Sequence, residues 1–190
     1  MNKLALLLPA TAVAFLTQIV SPAHAADPAA HESSWKSVKQ LVAVVHPTAG
    51  NKCSGIVRFT DAGGGKIEVT AELEGLNPGQ KHAMHVHEFG DARGTDGMKT
   101  GGHYNPEGHQ HGLPETAARH AGDLGNVQAD AGGKATYKIT INNASLVGLK
   151  NPILGRGVIV HAKTDDGGQP TGNAGARIGA GVIGIANPQP

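Results

Sequence analysis

The chain of 190 residues is long enough for one domain of ordinary size with a buried core. Its 16 basic and 15 acidic residues give a formal net charge of +1, so nothing in the charge balance indicates a nucleic-acid or membrane-surface partner. The 28 glycines and 11 prolines make the chain rich in turn formers and favour an all-β fold over a helical one.

The first residues have the pattern of a secretory signal peptide. Lys3 gives a positive start, residues 4–20 are mostly apolar, and Ala23-His24-Ala25 matches a small-x-small cleavage site. Polar residues and a proline interrupt the apolar run, which falls short of the roughly 20 residues that a membrane-spanning helix needs. The sequence therefore predicts a signal peptide over 1–25, a flexible leader over 26–38 and one domain over 39–190, exported to the periplasm or the extracellular space.

Eight short runs of alternating or β-branched residues follow, each bounded by turn residues. In chain order they are QLVAVV, GIVRFT, KIEVTAEL, HAMHVH, NVQAD, KATYKITI, GVIVHA and GVIGIA. The glycine-rich segments Asp61–Gly65 and Asp130–Gly133 are typical of hairpin connections. No helix-period stretch of useful length appears after the signal, so the sequence predicts a β-sandwich or barrel of about eight strands.

Two connections are too long for a simple meander, residues 88–122 and residues 163–179. Loops beyond about 12–15 residues without secondary structure are uncommon and usually functional or disordered. Both contain few bulky apolar residues, and they flank most of the histidines. Something other than a hydrophobic core is therefore expected to hold them.

Eight of the 11 histidines lie between His82 and His161. Side chains two residues apart share one face of a strand, so His85 and His87 should point together, away from the core-facing side of Met84. His82 has the parity of Met84 and is predicted to be a bystander outside their cluster.

The loops and strand ends supply further candidate metal ligands: His103, His109, His111, His120, Asp123 and His161. Neutral imidazoles with a carboxylate suit four-coordinate zinc, whereas a set of histidines alone suits copper. A surface or hydrogen-bonded role is the usual alternative for any single histidine. Because these histidines cluster on two loops and two strand ends, the pattern favours a metal site.

The chain has one cysteine, Cys53, so it cannot form an intramolecular disulfide. That is unusual for an exported domain, because disulfides persist in oxidising compartments. A buried thiol is the favoured interpretation, and an intermolecular link is the alternative.

Six motifs occur in a characteristic order between about residue 40 and residue 186: HVHEFGD, GGHYNP, RHAGDLGN, VHAKTDD, GNAGAR and GVIGIA. This series resembles the Cu/Zn superoxide dismutase family. The resemblance implies an eight-stranded Greek-key β-sandwich or barrel with long metal-binding and anion-guiding loops. It also implies an oxidoreductase that converts superoxide to oxygen and hydrogen peroxide by alternate reduction and oxidation of copper, with copper and zinc as cofactors and superoxide as the small anionic substrate.

The resemblance assigns a role to each motif residue. The implied copper ligands are His85, His87, His103 and His161. The implied zinc ligands are His103, which would bridge the two metals, with His111, His120 and Asp123. Asp165 would tether a copper histidine to a zinc histidine through their outer nitrogens. Arg177 would guide the anion, and Arg177 and His103 are the implied catalytic residues. His111 is preferred to His109 as the zinc ligand because of its spacing from GGHYNP.

The chain departs from the family pattern at the disulfide that usually joins the long loop to the last strand. The motif-equivalent positions are Gly97 and Ala180, and Cys53 lies at neither. Losing a native disulfide from a small exported domain typically costs about 2–5 kcal/mol. We therefore expect zinc to carry more of the stability of this fold.

The second departure is a short anion-guiding loop without a basic residue between Lys163 and Arg177. Steering would then depend on these two residues, which predicts a working enzyme with weak salt sensitivity. Alternatives are a non-catalytic protein of the same fold that binds or delivers copper or zinc, and a structural sandwich with incidental histidines. A homodimer is possible, but no interface signature identifies the face.

Overall fold

The computed structural model describes residues 37–188, which fold into eight antiparallel strands. The strands are β1 (Gln40–Pro47), β2 (Ser54–Gly63), β3 (Lys66–Glu74), β4 (Lys81–His87), β5 (Asp123–Gln128), β6 (Ala135–Ile141), β7 (Gly157–His161) and β8 (Arg177–Ile185). One 3₁₀ turn, Met98–Thr100, interrupts the first long loop. The predicted signal peptide lies outside the described residues, and so does the leader apart from its last two positions.

The strands pair in the order β5-β4-β7-β8-β1-β2-β3-β6. β4 pairs with β7 rather than with its sequence neighbour β3, so the chain crosses between the two halves of the sheet. The edge strands approach each other, and Tyr137 of β6 donates a hydrogen bond to the Leu124 carbonyl of β5 over 2.6 Å. This nearly closed barrel confirms the predicted all-β Greek-key fold.

The core follows from period-two alternation along the strands. On β1, Leu41, Ala43 and Val45 are buried while Val44 between them is exposed. On β3, every second residue from Ile67 to Leu73 is buried. Burying side chains of this size from both halves gives the hydrophobic stabilisation that the many turns do not provide.

β4 lacks this alternation, because it is covered on both faces. Met84 and Val86 face the core, and His85 and His87 face the other way, yet all four are at most 1% exposed. The two loops that connect β4 to β5 and β7 to β8 lie over the histidine-bearing face. The outward face of β4 is therefore buried under the two loops, and their polar groups lie against its histidines.

Three connections are long: residues 88–122, residues 142–156 and residues 162–176. The first and third correspond to the two loops expected from the sequence, although the expected end of the third, residue 179, was three residues too late. The second was not predicted; backbone bonds between its two halves, including Ile153 N to Ser145 O at 3.0 Å, hold it together. Within the described residues no helix has the length and apolar character needed to cross a membrane.

Candidate metal centre

A group of four buried histidines, the four-histidine cluster, lies where β4, β7 and the 88–122 loop meet. Its members are His85, His87, His103 and His161. One nitrogen from each lies within 4.8 Å of the nitrogens of the others. β4 contributes two of them by strand parity, β7 contributes one at its last residue, and His103 forms an isolated bridge with His87 that brings the loop alongside β4.

Hydrogen bonds at the outer nitrogens fix the direction of three rings. His85 Nε2 contacts Asp165 Oδ2 at 2.9 Å, His87 Nδ1 contacts the Gly101 carbonyl at 3.0 Å, and His161 Nδ1 contacts the Gly175 carbonyl at 3.1 Å. A carbonyl accepts only, so the proton lies on Nδ1 of His87 and of His161. The inner nitrogens then carry lone pairs.

Those inner nitrogens are the sign that the cluster fits a metal. Among the described residues, the buried side-chain nitrogens and oxygens without a hydrogen-bond partner are His85 Nδ1, His87 Nε2 and His161 Nε2. Buried polar atoms are normally paired, and three orphans in one cluster need an explanation. Converging imidazole lone pairs are what a copper ion requires of its ligands.

Burial also keeps these rings in the form that binds metal. Desolvation lowers the pKa of His85 to about 4, of His87 to about 2 and of His161 to about 3. Neighbouring imidazoles and the Arg177 guanidinium act in the same direction at His87 and His161. The three rings are therefore neutral at physiological pH, and no proton has to leave them before a metal binds.

A second group, the aspartate cluster, consists of His103, His111, His120 and Asp123. The Nδ1 atoms of the three histidines lie 3.2, 3.0 and 3.3 Å from Asp123 Oδ1. His103 Nδ1 and His120 Nδ1 are 3.3 Å apart. Four ligand atoms around a tetrahedral zinc at about 2.0–2.1 Å stand about 3.3 Å from one another, so these four distances and the ligand types match a zinc site.

The local backbone aims the Asp123 carboxylate. Its Oδ2 accepts hydrogen bonds from the Gly112 and His120 N–H groups at 3.0 and 3.1 Å, which leaves Oδ1 facing the histidines. Burial raises the pKa of Asp123, but hydrogen bonds from His103, His111 and the Gly112 N–H outweigh it and hold that pKa below its ordinary value. Asp123 is therefore an anion that can neutralise a bound cation.

Asp165 connects the two clusters. Its Oδ2 lies 2.9 Å from His85 Nε2 and its Oδ1 lies 2.9 Å from His111 Nε2. Burial raises the pKa of Asp165, but the hydrogen bonds from His111 and His85 reverse this and lower it. Burial lowers the pKa of His111, but the carboxylates of Asp123 and Asp165 together raise it to about 9. Asp165 lies where the resemblance places a tether between the two sites.

Arg177 begins β8 next to the four-histidine cluster. Its Nη1 donates to the Gly97 carbonyl over 2.7 Å and to Thr100 Oγ1 over 2.9 Å, and its Nη2 donates to the Gly101 carbonyl over 2.7 Å. The Gly101 carbonyl also accepts from His87, so the guanidinium lies beside that ring. Of its five N–H groups, the Nε–H and one Nη2–H have no partner among the described residues, and they are free to bind an anion.

The structure distinguishes cluster histidines from neighbouring histidines that do not join either cluster. His111 enters the aspartate cluster, whereas His109 is partly exposed and pairs with Glu107 at 3.3 Å outside it. His82 stays out of both clusters, but it is no bystander: it is fully buried and its Nδ1 donates to the His161 carbonyl over 2.8 Å. Strand parity indicated that His82 lies outside the clusters, but no sequence signal indicated its burial or its hydrogen bond to His161.

Contacts to backbone atoms of the site were also missed. The Gln169 amide donates to the His111 carbonyl over 2.8 Å and accepts from its N–H over 3.1 Å. Asn126 makes the same two-armed contact with the backbone of Asp165, at 2.9 and 2.7 Å. A motif read residue by residue does not show such contacts, because they depend on where distant segments of the chain meet in the fold.

Gly97 and Ala180 face each other, as the resemblance implies. A Cβ placed on Gly97 would lie 3.6 Å from Ala180 Cβ and 3.4 Å from Ile159 Cδ1, and the backbone of Gly97 has φ of 72°. Cys53 is buried, and desolvation raises the pKa of its thiol to about 12. It is therefore a buried thiol, the favoured one of the two interpretations.

Comparisons with known proteins point to one family. The model of the family described as copper/zinc superoxide dismutase matches residues 53–183. The chain is similar to superoxide dismutase [Cu-Zn] 2 of Brassica juncea, with 47% identity over 152 residues that cover 76% of this chain and 96% of the relative. Among solved structures it is similar to the clock protein EA4, with a TM-score of 0.71 and 38% identity over 78% of this chain and 95% of that one.

Proposed function

The chain belongs to the copper/zinc superoxide dismutase family, and on that premise we propose that it is an exported enzyme that converts superoxide to oxygen and hydrogen peroxide. The expected cofactors, copper and zinc, are those of the family. We propose that the four-histidine cluster holds copper and that the aspartate cluster holds zinc. The observation that carries the proposal is the set of three orphaned, inward-facing imidazole nitrogens beside an arginine with two unused N–H groups.

Copper, when bound, would supply one-electron oxidation and reduction, and zinc would supply fixed charge and structure. The protein's part is to keep the ligands neutral, aimed and dry. The His87 and His161 rings are oriented by backbone carbonyls and the His85 ring by Asp165, so none has to reorganise when substrate arrives. Such fixed geometry is what rapid turnover of a small anion requires.

Arg177 binds and orients the substrate. Burial lowers the pKa of its guanidinium, but an arginine remains charged at physiological pH. Three hydrogen bonds to the 97–101 segment fix the plane of the guanidinium. Its free N–H groups are the donors from which a superoxide anion would accept hydrogen bonds. The anion is thereby held next to His87 instead of diffusing over the surface.

His103 is the residue that we propose to carry one of the two protons that hydrogen peroxide formation needs. Its ring belongs to both clusters, and its Nδ1 is the nitrogen that faces Asp123. The other ring nitrogen, Nε2, is therefore the one available on the copper side, and an imidazole can exchange a proton there. The His103 side chain is 4% exposed, so a proton held at Nε2 would be delivered to bound substrate rather than lost to bulk water.

The alternative function is metal binding or delivery without catalysis. Both activities need the two clusters, but only catalysis needs an oriented arginine beside them. The test measures copper and zinc per chain and the rate of superoxide consumption in the wild type, Arg177→Ala and Arg58→Ala, the last being a charge-matched control on β2 that pairs with Glu72. We expect one copper and one zinc in all three, and a rate that falls about 10-fold or more only in Arg177→Ala. Metal-loaded wild type without turnover would favour delivery.

Export and self-association complete the proposal. Export is supported by the signal-like pattern of residues 1–25, and the mass of the mature chain and its fractionation would test it. A homodimer is supported by an uncharged patch on β1 and β8, where Val44 and Val182 are 50% and 40% exposed. A patch without charge can meet its own copy across a two-fold axis. Sedimentation as a monomer at micromolar concentration would contradict the dimer.

A further inference from the structure

The segment 97–101 would be held by a disulfide if Gly97 and Ala180 were cysteines, and in this chain it is held by other contacts. Arg177 and Thr100 lie three residues from Ala180 and Gly97 respectively, so a contact between them links the same two segments that the crosslink would join. Arg177 Nη1 donates to Thr100 Oγ1 over 2.9 Å. A covalent bond between loop and strand is thus replaced at nearly the same place by a hydrogen bond.

The hydroxyl of Thr100 is used in both directions. It donates to the Gly97 carbonyl over 2.8 Å while it accepts from Arg177. Arg177 donates to the same Gly97 carbonyl over 2.7 Å, so the three groups form a closed ring of hydrogen bonds. A hydroxyl is the smallest group that both donates and accepts, and neither alanine nor valine could complete this ring.

Packing fixes the Thr100 side chain in this orientation. The residue is 1% exposed, and its Cγ2 would lie 2.9 Å from a Cβ on Gly157, so the methyl packs directly over that glycine at the start of β7. The Thr100 carbonyl accepts from the Phe89 N–H over 2.9 Å, which ties the backbone to the end of β4. A β-branched side chain held this way has one rotamer available, and its hydroxyl stays aimed at Arg177.

The other end of Arg177 is held as well. Thr48 Oγ1 donates to the Arg177 carbonyl over 2.7 Å, and the Ala49 N–H donates to the Thr95 carbonyl over 2.6 Å. The backbone of Arg177 is therefore fixed by the residue that follows β1, so what remains to be set is the direction of its guanidinium. Gly97, Thr100 and Gly101 set that direction.

We propose that Thr100 is a positioning residue for the anion-binding arginine, in the place where a disulfide would otherwise order the 97–101 segment. The proposal rests on the proposed function, because the orientation of Arg177 matters to turnover only if superoxide binds there. It assigns to Thr100 a function that no motif of the chain indicates.

The test compares Thr100→Val, which keeps the shape and removes the hydroxyl, with Thr100→Ser, which keeps the hydroxyl and removes the methyl. Thr60→Val is the matched control. The Thr60 hydroxyl on β2 accepts a hydrogen bond from the Gln40 amide on β1, away from both clusters. Amide hydrogen exchange of the peptide containing residues 97–101 is measured on metal-loaded and metal-free protein. Superoxide consumption is measured on the metal-loaded forms.

We expect Thr100→Val to raise the exchange rate of the 97–101 peptide about 10-fold and to lower the second-order rate with superoxide about 3–10-fold, with metal content unchanged. Thr100→Ser should restore both quantities to within about 2-fold of the wild type, and Thr60→Val should change neither. In an Arg177→Ala background Thr100→Val should cost little further rate, because Thr100 acts through Arg177.

Three results would overturn the proposal: unchanged exchange and rate in Thr100→Val, a serine variant that behaves like the valine variant, or a loss that is fully additive with Arg177→Ala. If the wild type consumes no superoxide, the proposed function fails by itself. The exchange measurement then decides whether Thr100 holds the segment: a faster rate with rescue by serine supports that, and an unchanged rate contradicts it.

Discussion

Replacing Gly97 and Ala180 by cysteine should create a disulfide without moving the backbone. The Cβ atoms would stand 3.6 Å apart, inside the range of about 3.5–4.5 Å that disulfides require. The third thiol does not interfere: Cys53 Sγ lies 2.8 Å from a Cβ position on Gly179, which alternation along β8 places on the opposite side of the strand from Ala180. Its thiol is also protonated and buried, so it exchanges slowly.

The magnitude follows from the loop that the bond closes and from the backbone of Gly97. Positions 97 and 180 are 83 residues apart (180 − 97), and a loop of that length gives about 4.5 kcal/mol in the chain-entropy estimate. A side chain at φ of 72° costs about 1–2 kcal/mol. The net gain is about 3 kcal/mol, which for a domain of this size raises the melting temperature by about 6–12 °C.

The assay is calorimetry of the double variant, oxidised and reduced, in a Cys53→Ala background, with thiol titration to count free cysteines. Gly97→Ala measures the backbone cost separately, and we expect it to melt below the wild type. Two free thiols in the folded, oxidised protein, or equal melting temperatures in the two redox states, would refute the geometric argument.

Three further predictions concern metals and pH. Removing zinc with a chelator should lower the melting temperature by about 10 °C or more, because a tightly bound ion at about 1,000-fold its dissociation constant contributes about 4 kcal/mol; an unchanged melting temperature would contradict the expected role of zinc in stability. Asp165→Asn should weaken zinc binding about 10–100-fold in a competition titration, with Asp166→Asn, an exposed neighbour, as the control. Burial raises the pKa of Tyr137 to about 12, whereas the phenol of the unfolded chain has a pKa near 10. The unfolded state therefore ionises first, and the free energy of unfolding should fall from pH 10 to pH 12. Urea unfolding of metal-free Tyr137→Phe should show a smaller fall over the same range.

The strands and the site could be predicted to different depths. Period-two alternation is a local property, so the eight strands and the face shared by His85 and His87 could be inferred from neighbouring residues. The burial of that face could not, because it depends on loops that return from far along the chain. The ordered motifs gave the clusters their members, including His111 in place of His109, because motif spacing carries information that parity does not.

What the motifs did not give is the set of groups that hold the ligands. Thr100, Gln169 and His82 act on the backbone or guanidinium of site residues, and such contacts depend on packing in three dimensions. The lost disulfide shows the same limit. Two absent cysteines indicated a missing restraint and led to zinc as its replacement, whereas the structure offers a nearer one in the hydrogen bonds of Arg177.

The 97–101 segment therefore acts on both the metal and the anion. Its Gly101 carbonyl accepts from His87 Nδ1 and from Arg177 Nη2, at 3.0 and 2.7 Å, so a single backbone oxygen orients a proposed copper ligand and the proposed anion guide. A shift of that oxygen would turn both groups at once. A change that displaces the Gly101 carbonyl itself should then weaken copper retention together with superoxide capture, whereas Thr100→Val and Arg177→Ala should weaken capture alone. Variants that separate the two effects would identify which of them the order of this segment chiefly serves.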